Sequence, residues 1–173
     1  MTLGMVEGCL VAGLVGAAVS DAQTGKIPNV LTGPLLLVGL AVSTLFGQGI
    51  LFALFGAVVG FAIHFPLWVL KVQRGGDAKL LIAAGAFTGA AGIVEMTIAV
   101  LMLYLPFGFI YLLIRGRLGN FVAHLRHMRN VAVKIPSAAP EEVTVIVMGP
   151  LILVAGLVAL LTSWFDLVAY LMA

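Results

Sequence analysis

Arg74-Gly75-Gly76-Asp77-Ala78-Lys79-Leu80-Leu81 sets three ionisable side chains and a glycine pair at the head of an apolar run. Charges are scarce elsewhere. Of 173 residues, 62% are hydrophobic and only 9% charged, where a soluble domain carries about 25%. With a mean hydropathy of +1.21 and repeated apolar runs near spanning length, the chain reads as an integral membrane protein in the lipid bilayer. A second polar stretch answers the first: Ser20-Asp21-Ala22-Gln23-Thr24-Gly25-Lys26-Ile27-Pro28-Asn29. Each stretch puts one aspartate at the edge of a hydrophobic segment.

Apolar length and turn signals predict an all-α polytopic protein of six transmembrane helices in one domain, residues 1–173. The first helix runs from Thr2 to Ser20 or a turn beyond, and the second from Asn29 to Phe46. The third covers Ile50 to Leu70, the fourth Asp77 to Gly89 and the fifth Gly92 to Ile114. A polar, basic segment, Arg115 to Glu142, reads as a loop facing lipid headgroups. The sixth helix covers Val143 to Trp164. The N-terminus lacks the basic start of a signal peptide, and Glu7 interrupts its apolar run.

The basic residues orient these helices. Lys26 falls between helices one and two, and Lys71, Arg74 and Lys79 between three and four. Arg115, Arg117, Arg126, Arg129 and Lys134 fall between five and six. All nine therefore occupy alternate loops. The positive-inside rule then predicts cytoplasmic basic loops and both termini extracytoplasmic. Asp21 and Asp77 fall on the cytoplasmic side; Glu7, Glu95 and Asp166 fall toward the other face. The fourth helix is short, about 20 Å against a hydrocarbon core of about 30 Å. Gly75-Gly76 is expected to form a re-entrant approach that holds Asp77 below the membrane surface, facing water.

Two aspartates on one face suggest a catalytic pair. Carboxylates within hydrogen-bonding reach do not readily both ionise, and the pair titrates as a unit. The ionised member can take a proton from water while the protonated member polarises a peptide carbonyl. This chemistry needs neither metal nor cofactor. Simpler readings stand beside it. Asp77 can cap the fourth helix, Asp21 can cap a turn or pair with Lys26, and Lys79 can snorkel to headgroups. Gly75 and Gly76 can be turn formers, and Pro28-Asn29 a helix start. His64, near Pro66, reads as a hydrogen-bonded packing residue. His124 and His127 lack metal-site spacing, and the single Cys9 excludes a cysteine cluster.

At these stretches the chain resembles the type IV prepilin peptidases, membrane aspartic proteases of the GxGD class. Asp21 with Lys26-Ile27-Pro28-Asn29 carries one half of the resemblance. Gly76-Asp77-Ala78-Lys79-Leu80-Leu81, with Gly85 beyond, carries the other. The resemblance implies that Asp21 and Asp77 are catalytic, with Gly75, Gly76, Lys79, Lys26, Pro28 and Asn29 supporting the motif or the substrate. It implies a protein of the inner (cytoplasmic) membrane that removes the leader of a prepilin or pseudopilin on the cytoplasmic side. Pilus or secretion assembly components would be partners; nucleic acid would not. A chain that opens on a transmembrane helix and has one cysteine looks like the short, peptidase-only members of Tad/Flp pilus systems, without N-methyltransferase activity. Archaeal preflagellin peptidases are similarly small. One departure stands out: Arg74 occupies the place of the first motif glycine, so either the turn accepts arginine or the local backbone differs. Competing readings are a small transporter or channel using intramembrane aspartates, and a non-catalytic subunit of a secretion machine.

Overall fold

The computed structural model describes residues 4–70, 72–114 and 149–161. These residues form α1 (Met5–Thr24), α2 (Asn29–Phe46), α3 (Ile50–Val69), α4 (Gly75–Ile114) and α5 (Gly149–Leu161). No strand occurs among the described residues. α1, α2, α3 and the 75–107 part of α4 are long and apolar enough to cross a membrane. The expected loop 115–142, both ends of the sixth helix, Asp166, His124 and His127 lie outside the described residues.

Local chemistry sets the boundaries. α1 runs one turn past Ser20 and stops at Gly25, whose left-handed backbone (φ 67°) returns its N–H to Asp21 O at 2.8 Å. Extended Pro28 then opens α2, its carbonyl accepting the N–H groups of Leu31 and Thr32. At the other end Gly47 and Gly49 both donate to Ser43 O. After α3 the N–H groups of Val72 and Gln73 fold back onto Leu67 O. This tight turn delivers the chain directly into α4.

Gly89 breaks α4 at φ 72°, ψ −175°, a conformation that side chains with a Cβ rarely adopt. Contacts along α3 show what the break does. Gly56 lies against Gly85 and Gly89, Gly60 against Ile82 and Ile93, and His64 reaches Gln73 and Thr97. As α3 advances, one set of partners descends in number and the other rises. The chain therefore reverses at Gly89, and α4 is a hairpin of two antiparallel arms. The expected fourth and fifth helices are these arms.

The short arm, 75–88, is about 21 Å long and forms the centre of the fold. Ala78, Leu80, Leu81, Ala83, Ala84 and Ala86 on it are buried. α2 packs on it through Gly39 against Phe87 and through the Ser43 hydroxyl, which donates to Ala86 O at 2.8 Å. α5 runs antiparallel to α1, with Gly149 at Asp21 and Gly156 at Leu14. The outer face of α3, including Leu51, Phe55, Val58, Phe61, Phe65 and Trp68, is exposed. In water such a stripe would be a liability; in a bilayer it meets lipid tails, which are equally apolar.

The approach to Asp77 differs from the expected re-entrant one. Gly75 and Gly76 are helical, because Arg74 O already accepts the Ala78 N–H at 3.0 Å. Asp77 is thus in the first turn of α4 and does not precede it.

Candidate active site

Asp21 lies in the last turn of α1 and Asp77 in the first turn of α4, both fully buried. The fold brings them together at one end of the bundle, each in the electrostatic reach of the other. Glycine makes this approach possible. A Cβ on Gly76 would sit 3.0 Å from both Cβ and O of Ile27, so the second motif packs directly onto the backbone of the first. Gly75 lies under the Trp68 indole, with a Cβ there 3.1 Å from Nε1.

The remaining motif residues hold the two stretches in register. The Ser20 and Thr24 hydroxyls each reach Lys26 O at 3.1 Å, fixing the turn after α1 by its backbone while the Lys26 side chain is exposed. Pro28 starts α2. Lys79 Nζ donates to Asn29 Oδ1 at 2.8 Å, an exposed bond between the two motifs. Lys79 therefore crosses to the first motif and does not turn back to Asp77.

The two carboxylates are held differently. Asp21 Oδ2 accepts the Gly149 N–H at 2.7 Å, and Oδ1 lies 3.5 Å from the Arg74 guanidinium. The second distance is long for a hydrogen bond, so that contact is chiefly electrostatic. Asp77 accepts the backbone N–H of Arg74, as a third helical residue does in a capping box. Its Oδ2 is buried with no partner. A buried carboxylate oxygen without a donor is costly when charged.

Sequence reasoning missed four contributors. Arg74 registered as a loop cation and as a departure from the glycine pattern, not as a neighbour of Asp21, which it approaches to 3.5 Å. Gly149 lies far along the chain, and nothing in its neighbourhood points to Asp21. Tyr104, on the long arm, lies in the field of Asp77. Gln73 anchors the entry to the motif: its Oε1 is 3.0 Å from His64 Nδ1, while His64 Nε2 is 3.1 Å from Thr97 Oγ1. His64 is the hydrogen-bonded packing residue expected. Among the described residues no three of His, Cys, Asp and Glu form a metal-holding group.

Fold and site together define an all-helical, multi-pass membrane protein with two buried aspartates meeting at one end. The chain belongs to the type IV leader peptidase family, which it matches over residues 9–114, more than half its length. It is 40% identical over 89 residues to a prepilin leader peptidase/N-methyltransferase of Burkholderia pseudomallei (strain 1026b), covering 46% of this chain and 28% of that protein. A protein of the same description from Escherichia coli (strain K12) is 38% identical over 80 residues, 42% of this chain and 36% of the relative. The matches thus span about a third of the length of these curated relatives. No solved structure matches at a significant level.

Proposed function

We propose that this chain is an aspartic endopeptidase of the inner (cytoplasmic) membrane that removes the leader of a prepilin or prepilin-like protein on the cytoplasmic side. The observation that carries the reading is the meeting of Asp21 and Asp77 across the Gly76–Ile27 contact, with Asp77 Oδ2 left unpartnered. Two carboxyl groups sharing a proton supply both halves of peptide hydrolysis. One takes a proton from water as its oxygen attacks the carbonyl carbon, and the other protonates the carbonyl oxygen. The substrate must be extended at the cut, because helical backbone keeps its carbonyls in hydrogen bonds.

The basic residues at Lys26, Arg74 and Lys79 lie at the aspartate end, which supports a cytoplasmic site. Six crossings with both termini outside follow if the two arms of α4 each span. Prepilins or pseudopilins are the substrates, and pilus or secretion assembly components the working partners. Peptidase activity without N-methylation is the activity assigned, as in the short family members that this one-cysteine chain resembles.

Co-expression with a prepilin tests the reading. Leader removal should depend on this chain and leave the new N-terminus unmethylated. An intact prepilin would overturn the peptidase assignment. Reporter fusions at Ala173 and near Ser137 test orientation: a cytoplasmic Ala173 would sink the six-crossing topology.

A further inference from the structure

The carboxylates of Asp21 and Asp77 are chemically alike but unequally surrounded. Asp21 is at the negative end of α1, an unfavourable place for an anion. It is nevertheless countered on both oxygens: the Gly149 N–H at the start of α5 donates to Oδ2, and the Arg74 guanidinium stands 3.5 Å from Oδ1. An acid proton on Oδ2 would point at a donor hydrogen, and one on Oδ1 would face a cation. Asp77 keeps Oδ2 without any donor. Its first-turn position favours charge, but a buried charged oxygen with no donor costs more than the dipole returns. The other polar groups nearby do not reverse this. Arg74 acts on Asp77 too, through its charge and its backbone N–H, but Oδ2 is still without a donor. Lys79 is bonded to Asn29, His64 to Gln73 and Thr97, Lys26 is exposed, and Tyr104 on the long arm is within electrostatic reach of Asp77.

We propose that Arg74, standing where the motif calls for glycine, is the positioning residue that holds Asp21 as the ionised, water-activating partner and leaves Asp77 Oδ2 to carry the shared proton. This rests on the peptidase reading. Asp21 takes a proton from water as the water oxygen bonds to the scissile carbonyl carbon, and Asp77 passes its proton to the carbonyl oxygen. When the C–N bond breaks, the proton on Asp21 goes to the amine nitrogen. A hydroxyl proton of the tetrahedral intermediate returns to Asp77. One water is consumed, and both carboxyl groups end as they began.

Arg74 has a side chain one-third exposed, so a small cation in solution can reach its place. The test uses the full chain in proteoliposomes with a prepilin, comparing wild type, Arg74→Gly, Arg74→Gln and Arg74→Lys. Loss of the brace should lower kcat about 100-fold in the Gly and Gln variants with KM little changed, as expected for a misplaced catalytic group. Arg74→Lys should keep part of the rate. Millimolar guanidinium should restore part of the Arg74→Gly rate, and equal sodium chloride should not. If Arg74→Gly does not insert stably, Arg74→Gln carries the kcat comparison. Wild-type turnover in both neutral variants, or a loss confined to KM, would overturn the inference. So would a lost rate in a folded Arg74→Gly that guanidinium leaves unmoved. A wild type that cleaves no prepilin fails the peptidase reading, and the inference with it. Cleavage by wild type beside an equally fast Arg74→Gly fails the inference alone.

Discussion

The bundle carries acids at both ends, and they are treated in opposite ways. At one end Asp21 and Asp77 lie in electrostatic reach of each other beside the close Gly76–Ile27 contact, and Asp21 is braced by Arg74 and the Gly149 N–H. At the other, Glu7 and Glu95 line a cavity of about 530 Å³ shared with Ser43, Gln48 and Thr88. Each end also leaves one carboxylate oxygen buried and unpartnered, on Asp77 and on Glu7. An orphan oxygen therefore does not identify the chemistry by itself. The aspartate end adds a second carboxylate in electrostatic reach, a cation and a close backbone approach at Gly76.

The sharpest way to break this contrast is to neutralise both ends. Asp21→Asn and Asp77→Asn should each cut prepilin cleavage by about 10³-fold or more, with the protein still folded in membranes. The double variant should be no worse than either single one, because the two act as a unit. Glu7→Gln and Glu95→Gln should stay within a few-fold of wild type in the same cleavage assay. Near-normal cleavage by either aspartate variant, or a collapse in either glutamate variant, would erase the distinction.

The glycine contact gives the next largest effect. In Gly76→Ala the new methyl meets Ile27 Cβ and the Ile27 carbonyl, each at 3.0 Å. Backbone on one side of that contact must move, spreading the aspartates by tenths of an ångström or more. Cleavage should fall about 10- to 100-fold. Gly75→Ala meets chiefly the Trp68 indole, a side chain on the exposed face that can swing aside. It should cost much less. Equal rates for the two variants would mean that the Gly76–Ile27 approach does not set the spacing of the pair.

Much of this was legible in the sequence, for physical reasons that differ by residue. Helix limits were readable where one residue type forces the backbone, as at Pro28 and Gly47 to Gly49. Gly89 was readable as the end of the fourth helix, and six alternating crossings implied that the chain turns back there; that a single left-handed glycine makes the turn was not readable. The nearness of Asp21 and Asp77 followed from placing both at the same end of apolar segments. What surrounds each was not readable. Gly149 is 128 residues from Asp21, and a backbone N–H leaves no trace in residue type. Arg74 looked like a defect in a pattern because its meaning depends on the partner the fold supplies. Gly75-Gly76 suggested a non-helical entry because glycine is a poor helix former, but close packing against Ile27 and Trp68 outweighs that preference.

His64 shows that the aspartate end is also anchored from behind. It is buried between Gln73, next to Arg74, and Thr97 on the long arm. The Thr97 hydroxyl also reaches Ile93 O at 2.6 Å, which ties the network to the backbone of the long arm. His64→Ala strips a partner from both Gln73 and Thr97 and should destabilise the fold by about 1–3 kcal/mol. Thermal unfolding in detergent would register this, while kcat well below the transition should fall only a few-fold. An unchanged melting temperature would mean that the network does not hold the loop.

The smallest expected effect concerns the rim of the same end. Lys79 follows Asp77 by two helical positions, so the two side chains diverge by about 200°. Its ammonium instead reaches Asn29 Oδ1 at 2.8 Å on an exposed surface. Asn29 orients that ammonium but does not neutralise it, so the charge stays available to an incoming peptide. An acidic side chain just past the cut would find it there. Lys79→Ala should raise KM several-fold and leave kcat nearly unchanged. Reversing the substrate's acidic residue to lysine should harm cleavage by wild type, and pairing that substrate with Lys79→Glu should recover part of the loss. Measuring kcat/KM for the four combinations gives the coupling directly. Asn29→Ala separates the two duties of Lys79, because it removes the bond between the motifs but keeps the charge. Strictly additive losses across the cycle, with Asn29→Ala as damaging as Lys79→Ala, would make Lys79 a clasp between motifs and remove it from substrate recognition.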